Sequence, residues 1–232
     1  MRNLWIWFKN IVRKIDRSLN PYKYDYSDED FEEYTRSKQS EKVLDKYSVE
    51  EIVENGIQSF RTKQLYSRLD VESAIDHAKE HDFDTLLWYR DNNVHQIVMK
   101  FRRNSYNRYQ HRSDVARRRL KPLTYPINTG KPFDRTHLIP VGYHGSENDN
   151  LLLVGWDSDL NRNEMNYFEQ SVRVHNTNET IIWFTSIEKQ SDGTVRWFTK
   201  IFNEFGKPLS EDNWHDDSQF KWKANAERRD TV

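Results

Sequence analysis

The stretch FDRTHLIPVGYHGSENDNLLLVGWDSDLNRNEMNYFEQSVR, residues 133–173, constrains the fold more than any other part of this chain. Leu151 to Val154 form a short unbroken apolar run that suits a buried strand, and Gly145, Ser146, Asn148 and Asp149 before it have turn chemistry. DRTHLI therefore reads as a first strand. After Trp156, the Asp-Ser-Asp segment at 157–159 offers N-caps, and Leu160, Met165, Phe168 and Val172 recur at helical spacing. The expected order is strand, loop, strand, helix. A helix turning about 100° per residue would put Asn161, Glu169 and Arg173 on one side.

Other runs extend this nucleus. TIIWFTSIEK and VRWFTKIFN are aromatic and β-branched, and are joined through Asp192 and Gly193, which predicts a hairpin. TLLWYR and HQIVMKFR, separated by Asp91, Asn92 and Asn93, predict another. Three short helices are expected before it: SVEEIVENGI with Ser48 and Glu51 in capping-box spacing, TKQLYSRL, and DVESAIDHAKEHD opening at Asp70. Helices followed by a hairpin are compatible with a winged helix. Near the other end, Trp214, His215, Asp216 and Asp217 read as a surface turn, and the last ten residues as disordered.

The first twenty residues carry Leu4, Trp5, Phe8, Ile11, Val12, Ile15 and Leu19 at helical spacing opposite Lys9, Arg13, Lys14 and Arg17. A helix packing on its own protein, on a second copy or on a protein partner is preferred to one lying on a membrane. Lys9 interrupts the apolar run and no small-residue cleavage site follows, so export is not expected and a cytoplasmic location is. The acidic segment at 25–46 suits a solvated helix or linker.

With 36 Lys and Arg against 37 Asp and Glu, the net charge of -1 gives no overall attraction for a polyanion, so any basic surface must be local. It lies at RRNSYNRYQHRSDVARRRLK, residues 102–121, where Arg and Lys alternate with Tyr106 and Tyr109. Such a segment either neutralises phosphates and stacks on bases, or simply connects two units as a solvated helix. No cysteine is present, which excludes disulfides and thiolate metal sites and leaves His, Asn, Asp and Glu as metal donors.

Asp134, Arg135, Thr136 and His137, followed by Asn161, Glu169 and Arg173, resemble the DNA/RNA non-specific endonuclease family of the His-Me finger superfamily over about residues 120–205. That family's tetrad is Asp-Arg-Gly-His, so Thr136 is a departure that adds a Cβ beside His137. The expected fold is an α+β chain: the resemblance implies a ββα-metal nuclease domain on an antiparallel sheet, placed at 106–232, and the helical patterns before it predict a mainly helical region with a hairpin at 1–105. It implies a metal-dependent endonuclease that hydrolyses phosphodiester bonds of DNA, RNA or both with little sequence preference.

In the roles it implies, His137 is the general base, Asn161 the direct ligand of a hydrated Mg²⁺ or Mn²⁺, and Glu169 a holder of metal-bound water. Arg135 and Arg173 grip phosphate oxygens. Each residue has a plainer reading: His137 a hydrogen-bonded core histidine, Asn161 a residue of the helix start, Glu169 and Arg173 an i,i+4 ion pair. Asn163, Asn166 and His144 are competing ligands or bases. The rival for the whole chain is a catalytically silent nucleic-acid-binding protein.

Overall fold

The computed structural model describes residues 60–109, 123 and 125–222. The N-terminal amphipathic segment, the acidic segment, the helix expected at 48–57, the basic connector beyond residue 109 and the last ten residues lie outside the described residues.

Within them the chain is α+β and mostly sheet. One sheet has six strands. These are β1 (Arg61–Gln64), β2 (Thr85–Arg90), β3 (Val94–Phe101), β7 (Ile181–Lys189), β8 (Val195–Asn203) and β9 (Pro208–Asp216), adjacent in that order. Only the β1–β2 pairing is parallel. The second sheet has four strands in the order β10 (Phe220–Lys221), β4 (Ile127–Asn128), β6 (Leu153–Asp157) and β5 (Phe133–His137). The β2–β3 hairpin is continuous with β7 through Ile97↔Thr185 and its neighbours, so the large sheet takes strands from both sides of residue 105.

Both faces of the large sheet are covered, and strict alternation along its strands shows why. Ile97, Met99 and Phe101 of β3, Ile181, Trp183 and Ile187 of β7, and Val195, Trp197 and Ile201 of β8 point one way. There they meet Val154 and Trp156 of β6 and Met165, Phe168 and Val172 of the long helix described below. Val98, Ile182, Phe184 and Phe202 point the other way, onto Ala74, Ile75 and Ala78 of α1 (Val71–Glu80). Asp70 caps α1 by accepting from the Ser73 amide at 2.7 Å, as its position in the sequence predicts. The result is three layers: α1, the large sheet, and the small sheet with its helices. Among the described residues no helix is long and apolar enough to cross a membrane.

Two local expectations are corrected. TKQLYSRL begins as β1 rather than a helix, because the edge of β2 offers backbone partners. Arg61 pairs with Thr85, and the Leu65 amide donates to the Trp88 carbonyl at 2.8 Å. The Trp214 to Asp217 segment is not a surface turn through Asp216 but the end of β9. Trp214 pairs with Trp197 and is buried edge-on to it and to Phe168.

Candidate active site

The β5–β6 pair is antiparallel, with His137 opposite Leu153 and Asp134 opposite Trp156. α2 (Val141–His144) and the loop at 145–152 join the two strands. β6 runs directly into α3 (Ser158–Arg162), whose start is capped by the buried Asp157 carboxylate accepting from the Asp159 and Leu160 amides. The single helix expected from Leu160 onward is in fact two. Asn163 leaves helical geometry at φ -108°, ψ -87°, and α4 (Glu164–Asn178) restarts from it. Asn161 and Glu169 therefore lie on two helices and not on one side of a single continuous helix, while Glu169 and Arg173 remain one turn apart on α4.

The predicted residues fall into three groups. In the first, the Asn161 Nδ2 donates to Asp134 Oδ2 at 3.3 Å, and Arg162 donates from Nε and Nη2 to both Asp134 oxygens at 2.8 and 2.9 Å. Burial alone would raise the Asp134 carboxyl, but the donors Arg162 and Asn161 and the Arg162 charge outweigh it and hold the group below its ordinary value. Asp134 is thus an orienting carboxylate.

In the second group, His137 Nε2 lies 3.3 Å from the Glu147 carbonyl. A carbonyl can only accept, so in this contact Nε2 donates. Arg135, two residues away on the same side of β5, donates from Nη2 to Asn148 Oδ1 at 3.0 Å. His144, a rival base in the sequence, is instead buried and committed: its Nδ1 accepts from the Ser146 amide at 3.1 Å, which leaves Nε2 to donate to the Ile139 carbonyl at 2.9 Å. Thr136 points the opposite way from His137, is buried, and pairs with Val154 as an ordinary strand residue. Its φ is not positive, so the extra Cβ meets no left-handed strain.

The third group sits on α4. Glu169 lines a small hollow with Leu138, Met165, Phe168, Trp183, Trp197, Thr199 and Trp214, and burial pushes its carboxyl up to about 7. Among the described residues Glu169 makes no hydrogen bond or ion pair, so the i,i+4 pairing with Arg173 is not formed. The Arg173 guanidinium lies 4.3 Å from the centroid of the Tyr106 ring instead. The buried Tyr143 hydroxyl, which has no hydrogen-bond partner, feels both the Glu169 and Arg173 charges. Its own proton is held more tightly than usual, first by burial and then by Glu169.

Asn161 is brought to Asp134, and no contact links it to His137 or Glu169. Three residues of extended strand separate Asp134 from His137, a span of about 10 Å. Among the described residues no group of three His, Asp or Glu side chains can hold a metal by itself. The donors still fit the hydrated divalent cation that the sequence pattern implies. Asn161 has its amide nitrogen committed to Asp134, leaving Oδ1 as a hard neutral donor, while Glu169, its carboxyl raised to about 7 by burial, lies in the separate hollow.

Sequence reasoning missed Asn176, fully buried near the end of α4. Its Oδ1 accepts from the Tyr106 amide at 3.1 Å, and its Nδ2 donates to the Arg102 carbonyl at 2.9 Å. An Asn among the polar residues of a helix end gives no sign of such a role. No protein-family model, curated protein or solved structure matches this chain.

Proposed function

We propose that this chain is a metal-dependent endonuclease of the ββα-metal kind, acting on phosphodiester bonds of DNA, RNA or both with little regard to sequence. The observation that carries the reading is the Asp134–Asn161 contact. On the helix that follows an antiparallel strand pair bearing a histidine, a carboxylate orients an amide so that its oxygen is left for a cation.

Asn161 Oδ1 would hold a hydrated Mg²⁺ or Mn²⁺, with Glu169 as the carboxylate available to its waters. When bound, the ion supplies positive charge to the scissile phosphate. His137 Nδ1 takes a proton from the attacking water as the new O–P bond forms and the bond to the leaving oxygen breaks. The Glu147 carbonyl keeps the proton on Nε2 and so keeps Nδ1 basic. Arg135 and Arg173 supply charge to non-bridging phosphate oxygens. Arg173, with no ion pair of its own, can do so without breaking one.

The test is cleavage of plasmid DNA and of a structured RNA with Mg²⁺, Mn²⁺ or EDTA. Wild type should cut only with metal. His137→Ala should lose about 10²–10⁴-fold, the range of general-base catalysis, and Asn161→Ala should lose metal response. An inert wild type that binds the same nucleic acids would make the chain a silent binding protein.

A further inference from the structure

Arg90, at the end of β2, is a largely buried cation with no carboxylate in ion-pair range. Its Nε donates to His95 Nδ1 at 3.1 Å, and its Nη2 lies 2.9 Å from His95 Nε2 and donates to the Asn150 carbonyl at 2.9 Å. The same Nε2 of His95, fully buried on β3, lies 2.9 Å from the next carbonyl, that of Leu151. Burial, reinforced by the Arg90 charge, keeps His95 neutral well below its ordinary titration range, while Arg90 itself, lowered to about 10 by burial, stays charged. Burying a cation is costly unless its charge and donors are met; for Arg90 they are met by His95, by the Asn150 carbonyl and by the charge of Asp149, and the last two belong to one loop.

What it holds is the loop at 145–152. The far end of that loop is fixed by His144, through the Ser146 amide. Its middle presents the Glu147 carbonyl to His137 and the Asn148 side chain to Arg135. We propose that Arg90 and His95 are positioning residues: from the large sheet they fix the carbonyl that sets the His137 tautomer and ring direction. The inference rests on His137 being the base for its kinetic consequence, but not for its structural one.

Both are read in one set of proteins: wild type, Arg90→Met and Arg90→Lys. Long-range ¹⁵N–¹H spectra of the histidine rings report the His137 tautomer whether or not the protein cuts nucleic acid. In wild type Nε2 should carry the proton. In Arg90→Met the His137 signals should move toward a mixture of tautomers while the other exposed rings stay put. Cleavage should fall about 10- to 100-fold in kcat, the range seen when a support of a functional histidine is removed, with KM for the nucleic acid nearly constant and the pH profile displaced. Arg90→Lys, which keeps the charge and can serve one acceptor, should lie between. It also carries the test if Arg90→Met does not fold.

Wild-type His137 spectra in a folded Arg90 variant would overturn the proposal. A shifted tautomer in a protein that never cuts, even as wild type, would keep the positioning role and remove the nuclease reading instead.

Discussion

Asn161 and Asp134, on α3 and β5, share a hydrogen bond of 3.3 Å that ties the short helix to the strand bearing His137. Because Arg162 engages both oxygens of the same carboxylate, Asp134→Ala removes the anchor of the whole turn. The affinity for Mg²⁺ should drop about 10- to 100-fold, and stability at pH 7 should fall by about 1–2 kcal/mol. The Asp134 carboxyl is held below its ordinary value, so its contribution is present above the unfolded-state pKa and is lost as pH falls through the folded one. Urea midpoints of wild type and variant should therefore differ at pH 7, begin to approach each other only below about pH 4, and come closest below the folded-state value. Unchanged Mg²⁺ binding by calorimetry would mean that Asp134 does not orient the amide.

Much of this architecture was legible because it depends on local patterns. Both hairpins, the Asp70 and Asp157 caps and the strand-loop-strand-helix order follow from periodicity and turn residues. The break at Asn163 was not legible, since apolar positions continue on either side of it at helical spacing. β9 was hidden for another reason: on this edge strand Ser-Glu-Asp-Asn is polar throughout, with Glu211 and Asn213 exposed and Ser210 and Asp212 half-buried, and only Trp214 and Asp216 near its end are buried. The candidate residues were named from their pattern, but contacts between distant segments decide how they group. Nothing in the order of residues could tell that Arg90 reaches the Asn150 carbonyl sixty positions away.

Glu169 gives stability a slope with pH. Its carboxyl is raised to about 7 from an unfolded value near 4.5, so the folded state is favoured while the group is protonated. That advantage is complete below about pH 4.5 and is lost as pH rises through about 7. In metal-free protein the contribution is on the order of 2–3 kcal/mol. Wild type should lose thermal stability between pH 5 and pH 8, and Glu169→Gln should lose much less. Parallel melting curves for the two proteins across that window would show that Glu169 ionises freely in the fold.

Asn176 holds the start of the basic connector against α4. Asn176→Leu keeps the volume but strips partners from the Tyr106 amide and the Arg102 carbonyl, at a cost of about 2–4 kcal/mol. Hydrogen exchange at the Tyr106 amide should accelerate well beyond the global loss. An exchange rate that only follows global stability would mean that the segment is held elsewhere.

Gly145 sets where the loop at 145–152 leaves α2. Its φ of +76° lies in the left-handed region, and its amide donates to the Val141 carbonyl at 2.7 Å. A Cβ there would stand 2.8 Å from Cδ1 of Tyr109, whose ring is buried and cannot swing away. Gly145→Ala therefore combines a backbone penalty of about 1–2 kcal/mol with overpacking of about 1–3 kcal/mol. Denaturant titration should show a loss of about 2–4 kcal/mol. Ser146→Ala, one residue further, keeps the amide that His144 Nδ1 accepts from and should stay within about 0.5 kcal/mol of wild type. Equal stabilities for the two variants would show that the chain can leave α2 by another path, and the geometry that brings Glu147 to His137 would then have to be held from the Arg90 end alone.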